Sequence, residues 1–353
     1  MWNIIKRLNR ERYEPHIALL KDGGALADEV RAAGVPLHIL PFTVAPRPLW
    51  NLGARLAGSA RKIRPLSFTL WHSFHYSDDY TEGLIAALCG ARWLYSKKNM
   101  FWGTNAWRIR TELAWGIPAQ NPAMLEECFS SRWLRRKVMV VERGVDTDKY
   151  QPGGTPRLGL RARLGIAADV PVIGCVAILS ARKGHPTIIR ALAQVPRAHL
   201  LCAGPVIEPD YAAGLVTLAR ELGVADRVHF LGNVEDVAGL LAELDVFVFP
   251  TRSEGTGVAL LEAMACGVAS VGSAAPGPAD VIVDGVSGLT CPVDEPEPWA
   301  RALTRLVEAP ALRLKLGAAG RQRIVDQYSI WREVREHEAL YERVLAAPPL
   351  RFA

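Results

Sequence analysis

DVFVFPTRSEGTGVALLEAMACG, residues 245–267, is the stretch whose reading decides the fold. Its apolar run Val246 to Phe249 is too short for a helix and rich in β-formers, so it reads as a buried strand that Pro250 stops. A polar loop follows, and good helix formers then dominate from Thr256 to Ala265. Strand, glycine-bearing loop and helix in that order aim a helix N-terminus, with its free backbone N–H groups and positive dipole end, at an anion. Gly255 and Gly257 carry no Cβ, so a phosphate can approach that backbone closely. Glu254 lies in the loop beside this anion site, and Glu262 lies about two turns into the helix.

Outward from this stretch, strands and helices alternate in both directions. In the second half PVIGCVAIL (171–179) reads as a strand, SARKGHPTIIRALAQV as a loop and helix, and AHLLCAG as a strand. YAAGLVTLARELG reads as a helix, RVHFLG as a strand, and DVAGLLAEL as the helix leading into the central stretch. Beyond it VASVGS is a strand, the Gly277 region a loop, and DGVSGLTCPV carries turn and strand signals; helices are expected at 296–309, 311–327 and 330–346. In the first half a helix spans Ile4 to Leu8, HIALL and PLHIL are strands around the helix ALADEVRAAG, and Leu49 to Arg64 is helical. SFTLWHSF holds a strand with His72 at its C-terminal end, and Asp78 to Leu88 reads as a helix. ARWLYS, the helix TNAWRIRTELAW, IPAQN, a helix at 122–129 and VMVVERGVD close the half. This alternation predicts an α/β protein with a parallel, doubly wound sheet in each half. The expected domains are 1–150 and 151–330, joined by the Pro- and Gly-rich KYQPGGTPRLG (149–159), with a final helical segment, 331–353.

Composition sets further bounds. A chain of 353 residues can bury two substantial cores, and no run of eighteen apolar residues suits a transmembrane helix. The N-terminus has no long apolar stretch of the signal-peptide kind. Six cysteines are scattered without a C-x-x-C pair, which fits reduced thiols in a cytoplasmic protein rather than a zinc site. The net charge of +6 is uneven: residues 1–150 hold 22 Lys and Arg against 14 Asp and Glu, and the remainder is about −2. Eight of the ten tryptophans also precede position 134. A basic, Trp-rich half points to anionic lipid headgroups at a membrane surface or to an anionic acceptor. No recognised module accompanies the charge that would point to nucleic acid, and no G-x-G-x-x-G follows a strand as a nicotinamide enzyme would require.

PTRSEGTG and EAMACG together resemble the retaining glycosyltransferases of family 4 (glycosyl transferases group 1). Their pattern is a strand ending in Pro-Ser, then Glu-Gly-Phe-Gly, then Glu-Ala-Met-Ala-x-Gly; Thr256 stands where Phe is usual. RGVDTDKYQP also resembles the family's segment entering the hinge, with Arg143 replacing an Asn. The resemblance implies the GT-B fold: two Rossmann-like domains facing a cleft, the first on the acceptor side, the second binding the nucleotide sugar, and a final helix returning to the first. Domains of this kind begin with a strand and a Gly-Gly loop, whereas this chain starts inside the first helix, so the first strand is missing: the true start is expected upstream of Met1, the alternatives being a truncated chain or a protein that has lost this element.

The resemblance implies transfer of a sugar from a nucleotide diphosphate, UDP- or GDP-linked, to a cell-envelope glycolipid, lipopolysaccharide or other polysaccharide, with retained anomeric configuration. Lys183 matches the phosphate-binding Lys-Gly, and Gly255, Thr256, Gly257 and Val258 form the rest of the diphosphate site. Relatives place an Arg before the Lys-Gly where this chain has Ala177-Ile178-Leu179; Arg182 lies nearby. Glu262 is expected on the ribose hydroxyls, Glu254 on those of the transferred sugar, and Asn233 near the base. His72 matches the first-domain histidine facing the donor sugar, while Tyr76, Lys97 and Lys98 are acceptor-side candidates. Asp280 stands roughly where relatives carry another glutamate, and Asp78-Asp79 is not the Asp-x-Asp metal motif, so no required metal and no cofactor beyond the donor is expected. Two alternatives share the same features: a non-catalytic GT-B protein that holds nucleotide, and a sugar-nucleotide epimerase or phosphorylase.

Overall fold

The computed structural model describes residues 1–75, 77–98, 105–154 and 158–348. The chain divides into two compact units, one comprising Met1–Glu142 with Glu333–Ala353 and the other Arg143–Arg332. The first unit carries β1 (Ile17–Leu19), β2 (Leu37–Ile39), β3 (Leu70–Ser73), β4 (Arg92–Tyr95), β5 (Ile117–Ala119) and β6 (Val138–Val140). The second carries β7 (Val172–Val176), β8 (His199–Ala203), β9 (Val228–Gly232), β10 (Val246–Phe249), β11 (Ala269–Ser273) and β12 (Leu289–Cys291).

The second unit is one parallel six-stranded sheet in the order β12-β11-β10-β7-β8-β9. Its central strands are buried on both faces, which is why they read as unbroken apolar runs. Along β10 the side chains alternate. Val246 and Val248 pack with the helices His185–Leu192 and Pro296–Glu308 through Ile188, Ile189, Trp299 and Leu303. Phe247 and Phe249 face the opposite way, onto Leu260, Leu261 and Met264 of the helix Val258–Ala265 and onto Ile324. A period-two strand between two apolar helix layers is a doubly wound sandwich.

The first unit consists of the parallel pairs β1–β2, β3–β4 and β5–β6, with single bridges from Leu94 to Gly116 and from Lys97 to Ala119 linking β4 to β5. The helix Ile330–Ala346 packs on this unit from Glu333 onward. Glu338 accepts the Asn9 N–H at 2.9 Å, the Tyr341 hydroxyl meets His72 Nδ1 at 2.8 Å, and Leu340 and Val344 press against Gly116.

Several boundaries differ from expectation, and three of them have a clear physical reason. The domain division expected at 150 falls at 142, because residues 143–150 are bonded into the second unit. Val145 exchanges backbone hydrogen bonds with Tyr328 and Ile330 at 2.8 and 2.9 Å, and Arg321 donates to the Tyr150 and Thr147 carbonyls at 2.7 and 3.0 Å. The helix expected from Asp78 begins at Thr81, since Asp79 turns its carboxylate onto the Thr81 N–H at 2.7 Å and so caps the helix from outside. The helix expected from Thr256 begins at Val258, because Gly257 has φ +85° and cannot continue a right-handed helix.

A buried charge cluster braces the first unit. Arg110 is fully buried between the rings of Trp93, Tyr95 and Trp107, at 4.9, 5.0 and 5.6 Å. Its guanidinium reaches Ser73 Oγ at 2.9 Å, the Asp79 carbonyl, and the buried Glu82 carboxylate at 3.4 Å. Trp71 Nε1 also donates to Glu82, at 3.0 Å. Burial raises the Glu82 carboxyl from 4.5 to about 7, against the opposing pull of Arg110. The folded protein therefore holds this proton more tightly than the unfolded chain does, so the group's contribution to stability is full below about pH 4.5 and is lost as pH rises through 7. Relative to Glu82→Gln, the natural protein should lose on the order of 2 kcal/mol of unfolding free energy between pH 4.5 and 8. Denaturant unfolding of both proteins across that range measures it, and a pH-independent difference contradicts it.

Candidate functional site

The strand order makes the site. β7 and β10 are hydrogen-bonded neighbours, with Val246 opposite Ile173 and Phe247 opposite Gly174, yet their connections run to opposite sides of the sheet. This is the topological switch point of an open parallel sheet, and the crevice beyond the carboxyl ends of its strands is where such sheets bind ligands. The loops that follow β7 and β10 meet there.

They are held together along their backbones. The Arg182 carbonyl accepts from the Arg252 N–H at 2.9 Å and from Thr251 Oγ1 at 3.3 Å, and Arg252 Nη1 donates to the Ala181 carbonyl at 3.1 Å. Asp294 fixes the Arg252 guanidinium from outside at 2.7 Å. Gly184 takes φ +68° with its Cα against the Pro250 carbonyl oxygen, where any Cβ would collide. At Gly257 a Cβ would lie 2.6 Å from the Phe249 ring, so the helix N-terminus sits directly on the strand end.

Within this frame Lys183 Nζ forms an ion pair with Glu254 Oε1, and Thr251 Oγ1 lies 3.3 Å from the same oxygen. Gly255, Thr256 and Gly257 are buried beneath the loop, and Val258 stands exposed as the first residue of the helix. That helix leaves its first backbone N–H groups without intrahelical partners. Glu262, on the same helix, accepts from the Tyr150 hydroxyl; burial raises its carboxyl above the ordinary range while Tyr150, Lys149 and Arg143 oppose the rise. Arg182 points its exposed side chain from the other loop, and Asn233 is exposed just past the carboxyl end of β9. One cation, one helix N-terminus and two carboxylates thus stand at one end of the second unit, a set able to hold a diphosphate and hydroxyl-rich groups.

The remaining candidates are engaged in contacts of their own. His72 is in the first unit, with Nδ1 2.8 Å from the Tyr341 hydroxyl and Nε2 3.0 Å from Ser96 Oγ. Burial keeps it neutral by holding its pKa well below the usual value, and both nitrogens are engaged. Lys97 is buried over the Trp107 ring, so it is not presented to an acceptor, and Lys98 Nζ binds the Phe74 carbonyl. Tyr76 lies outside the described residues. Asp280 turns its carboxylate back onto the Gly277 N–H at 3.1 Å, which makes it a loop cap. A cavity of about 470 Å³, lined by Lys149, Asp245, Cys266 and Arg313, opens at the amino ends of β10 and β11 and contains none of the expected site residues.

Thr251, Arg252, Asp294 and Tyr150 were not singled out in the sequence. Thr251 and Tyr150 lie inside recognisable motifs, but nothing local connects Arg252 with a carboxylate 42 positions away.

The chain is similar to known glycosyltransferases in sequence over part of its length and in fold over nearly all of it. Residues 158–323 match the family model of glycosyl transferases group 1. The lipopolysaccharide core biosynthesis glycosyltransferase LpsE of Rhizobium meliloti is 36% identical over 213 residues, 60% of this chain and 60% of that protein. The D-inositol 3-phosphate glycosyltransferase of Mycobacterium bovis is 35% identical over 192 residues, 52% of this chain and 38% of its own length. The matched stretch therefore spans between about two fifths and three fifths of these curated relatives. Among solved structures, a glycosyltransferase from Rickettsia africae superposes with a TM-score of 0.87 at 17% identity, covering 98% of this chain and 94% of its own. HepE from Anabaena, solved with UDP and glucose, gives 0.80 at 20% identity over 97% and 94%. The chain thus has the GT-B glycosyltransferase fold, and its second unit, over residues 158–323, is similar to glycosyl transferases group 1.

Proposed function

We propose that this protein transfers a sugar from a nucleotide diphosphate donor, UDP- or GDP-linked, to a hydroxyl of a cell-envelope glycolipid, lipopolysaccharide or other polysaccharide. The observation that carries this reading is the meeting of Lys183, Glu254 and the Val258 helix N-terminus at the switch point of the second sheet. The acceptor oxygen bonds to the anomeric carbon while the carbon–oxygen bond to phosphate breaks, the electron pair leaves on the diphosphate, and the departing phosphate oxygen takes up the acceptor hydroxyl's proton. The helix N-terminus faces that growing charge and the Lys183 ammonium lies within reach of it, so both can stabilise the leaving group electrostatically; on this reading the transfer requires no metal. Glu254 holds hydroxyls of the transferred sugar, and Glu262, oriented by Tyr150, accepts from the ribose. Transfer proceeds with retention on this reading, without a covalent intermediate on either glutamate. The lipopolysaccharide relative supports the acceptor class, and the UDP-bound Anabaena structure supports the donor class.

A membrane-proximal acceptor also suits the first unit. Trp50 and Leu49 are 85% and 69% exposed, on a loop that Arg55 holds through the Ala45 and Pro48 carbonyls at 2.9 Å each. Residues 30–77 contain six Lys and Arg and no Asp or Glu. An apolar knob in a basic, acid-free segment fits peripheral contact with an anionic bilayer from the cytoplasmic side. Among the described residues, no helix is long and apolar enough to cross a membrane.

Two measurements test these readings. Glu254→Ala should reduce release of nucleoside diphosphate from a donor–acceptor panel by about 10²-fold or more while leaving the circular dichroism spectrum intact; unchanged turnover removes Glu254 from the site. The protein should sediment with phosphatidylglycerol vesicles and not with phosphatidylcholine vesicles, and Trp50→Ser should weaken that binding several-fold. Equal sedimentation of the two proteins would exclude this loop as the contact.

A further inference from the structure

The proposed donor site holds a counter-ion of its own. Lys183, which would meet the diphosphate, is paired with Glu254, which would meet the sugar, and the two side chains are only 12% and 15% exposed. Their backbones have little freedom. Ala181 donates its N–H to Glu208 at 3.1 Å, Arg182 is bonded to Arg252 and Thr251, and Gly184 is packed on Pro250. Any change at the pair must therefore come from the side chains. Arg252, the nearest basic neighbour of Glu254 in the chain, does not relieve Lys183, because its guanidinium is already taken by Asp294 and the Ala181 carbonyl. Lys183 Nζ lies 5.6 Å from the centre of the Phe249 ring, so one side of the ammonium faces an aromatic wall rather than water.

A lysine ammonium is a compact charge with three donors on a flexible stem, so it can change partners without moving the backbone. A diphosphate carries more charge than a carboxylate and outcompetes it for a shared cation. Resting on the donor reading above, we infer that Lys183 is a partner-switching residue: it leaves Glu254 for the donor's diphosphate, and this exchange releases the Glu254 carboxylate to accept hydrogen bonds from the transferred sugar.

The switch determines what the site accepts. A sugar without a diphosphate meets a carboxylate already neutralised by Lys183, so its hydroxyls gain little from Glu254. A nucleoside diphosphate, in turn, must first displace Glu254, and its affinity is lowered by the fraction of protein in which Lys183 is paired. The two halves of the donor therefore bind with positive coupling through one ammonium group.

Calorimetric titration of the full chain with UDP, GDP and ADP, and with UDP-glucose and GDP-mannose, tests this. Glu254→Gln keeps the shape of the side chain and removes the competing charge. It should bind whichever nucleoside diphosphate the natural protein binds several-fold to about ten-fold tighter. Glu254→Asp, one methylene shorter, should fall between the two and serves if the Gln variant folds poorly. In the Lys183→Met background the same Glu254→Gln change should alter affinity less than about two-fold, because no partner is left to release. The attached sugar should add affinity in the natural protein and none in Glu254→Gln.

If Glu254→Gln leaves nucleoside diphosphate binding unchanged or weaker, the switch is overturned while the donor reading stands. Equal tightening with and without Lys183 would show simple repulsion by Glu254 and would also overturn it. If no nucleoside diphosphate or nucleotide sugar binds any of these proteins, both the switch and the donor reading fall.

Discussion

The adjacency of β7 and β10 is the constraint on which the second unit depends. Because these strands are paired although three strand-to-strand connections separate them in the chain, the loops that follow diverge to opposite faces and leave a crevice between them. Every group of the candidate donor site in the two loops is positioned by that single pairing. The apolar alternation along β10 fixes its face and register: sliding the strand by one residue would turn Phe247 and Phe249 into the layer filled by Val246 and Val248. The register of a buried strand thus sets the position of a charged loop.

Charge is handled differently in the two units. In the first, Arg110 and Glu82 are buried among aromatic rings, with Trp71 and Ser73 completing their hydrogen bonds. Such a pair contributes little net stability, because desolvation offsets its attraction, but removing one partner leaves a buried charge exposed to the full penalty. It joins the end of β3 to the helices carrying Glu82 and Arg110 and so fixes the loop between them. In the second unit Lys183 and Glu254 sit at the mouth of a crevice, where either can find another partner. Burial makes the first pair a brace, and partial exposure makes the second exchangeable.

The elements legible in the sequence were those specified locally. β10 announces itself through its short apolar run, the helices Pro296–Glu308 and Pro310–Gln327 through prolines at their starts, and Ile330–Ala346 through its amphipathic periodicity. The loop-to-helix motif also brought Glu254 and Glu262 into view together, because both lie within one short stretch. What the sequence concealed depends on distant partners. The true division at 142 arises from hydrogen bonds between Val145 and residues 328 and 330, and nothing around Val145 foretells them. His72 does stand at a strand end, but its ring is engaged by Tyr341, 269 positions later. Lys97, an acceptor-side candidate in the sequence, lies just past the end of β4, where a bridge to Ala119 holds its backbone, and is buried over Trp107.

The departure at Ile178 gives Lys183 added weight. Where the family resemblance implies an arginine together with the lysine, this chain places an aliphatic side chain, and the exposed Arg182 lies at another point of the loop. With two fixed cations, a diphosphate could bind while the lysine remained paired with the carboxylate. If the site takes the proposed donor, Ile178 leaves the diphosphate charge to Lys183 and the backbone N–H groups of the Val258 helix. A single mobile ammonium serving two anions cannot satisfy both at once, so under the proposed donor reading the aliphatic side chain at position 178 would make the exchange between Glu254 and phosphate part of donor binding rather than an incidental rearrangement.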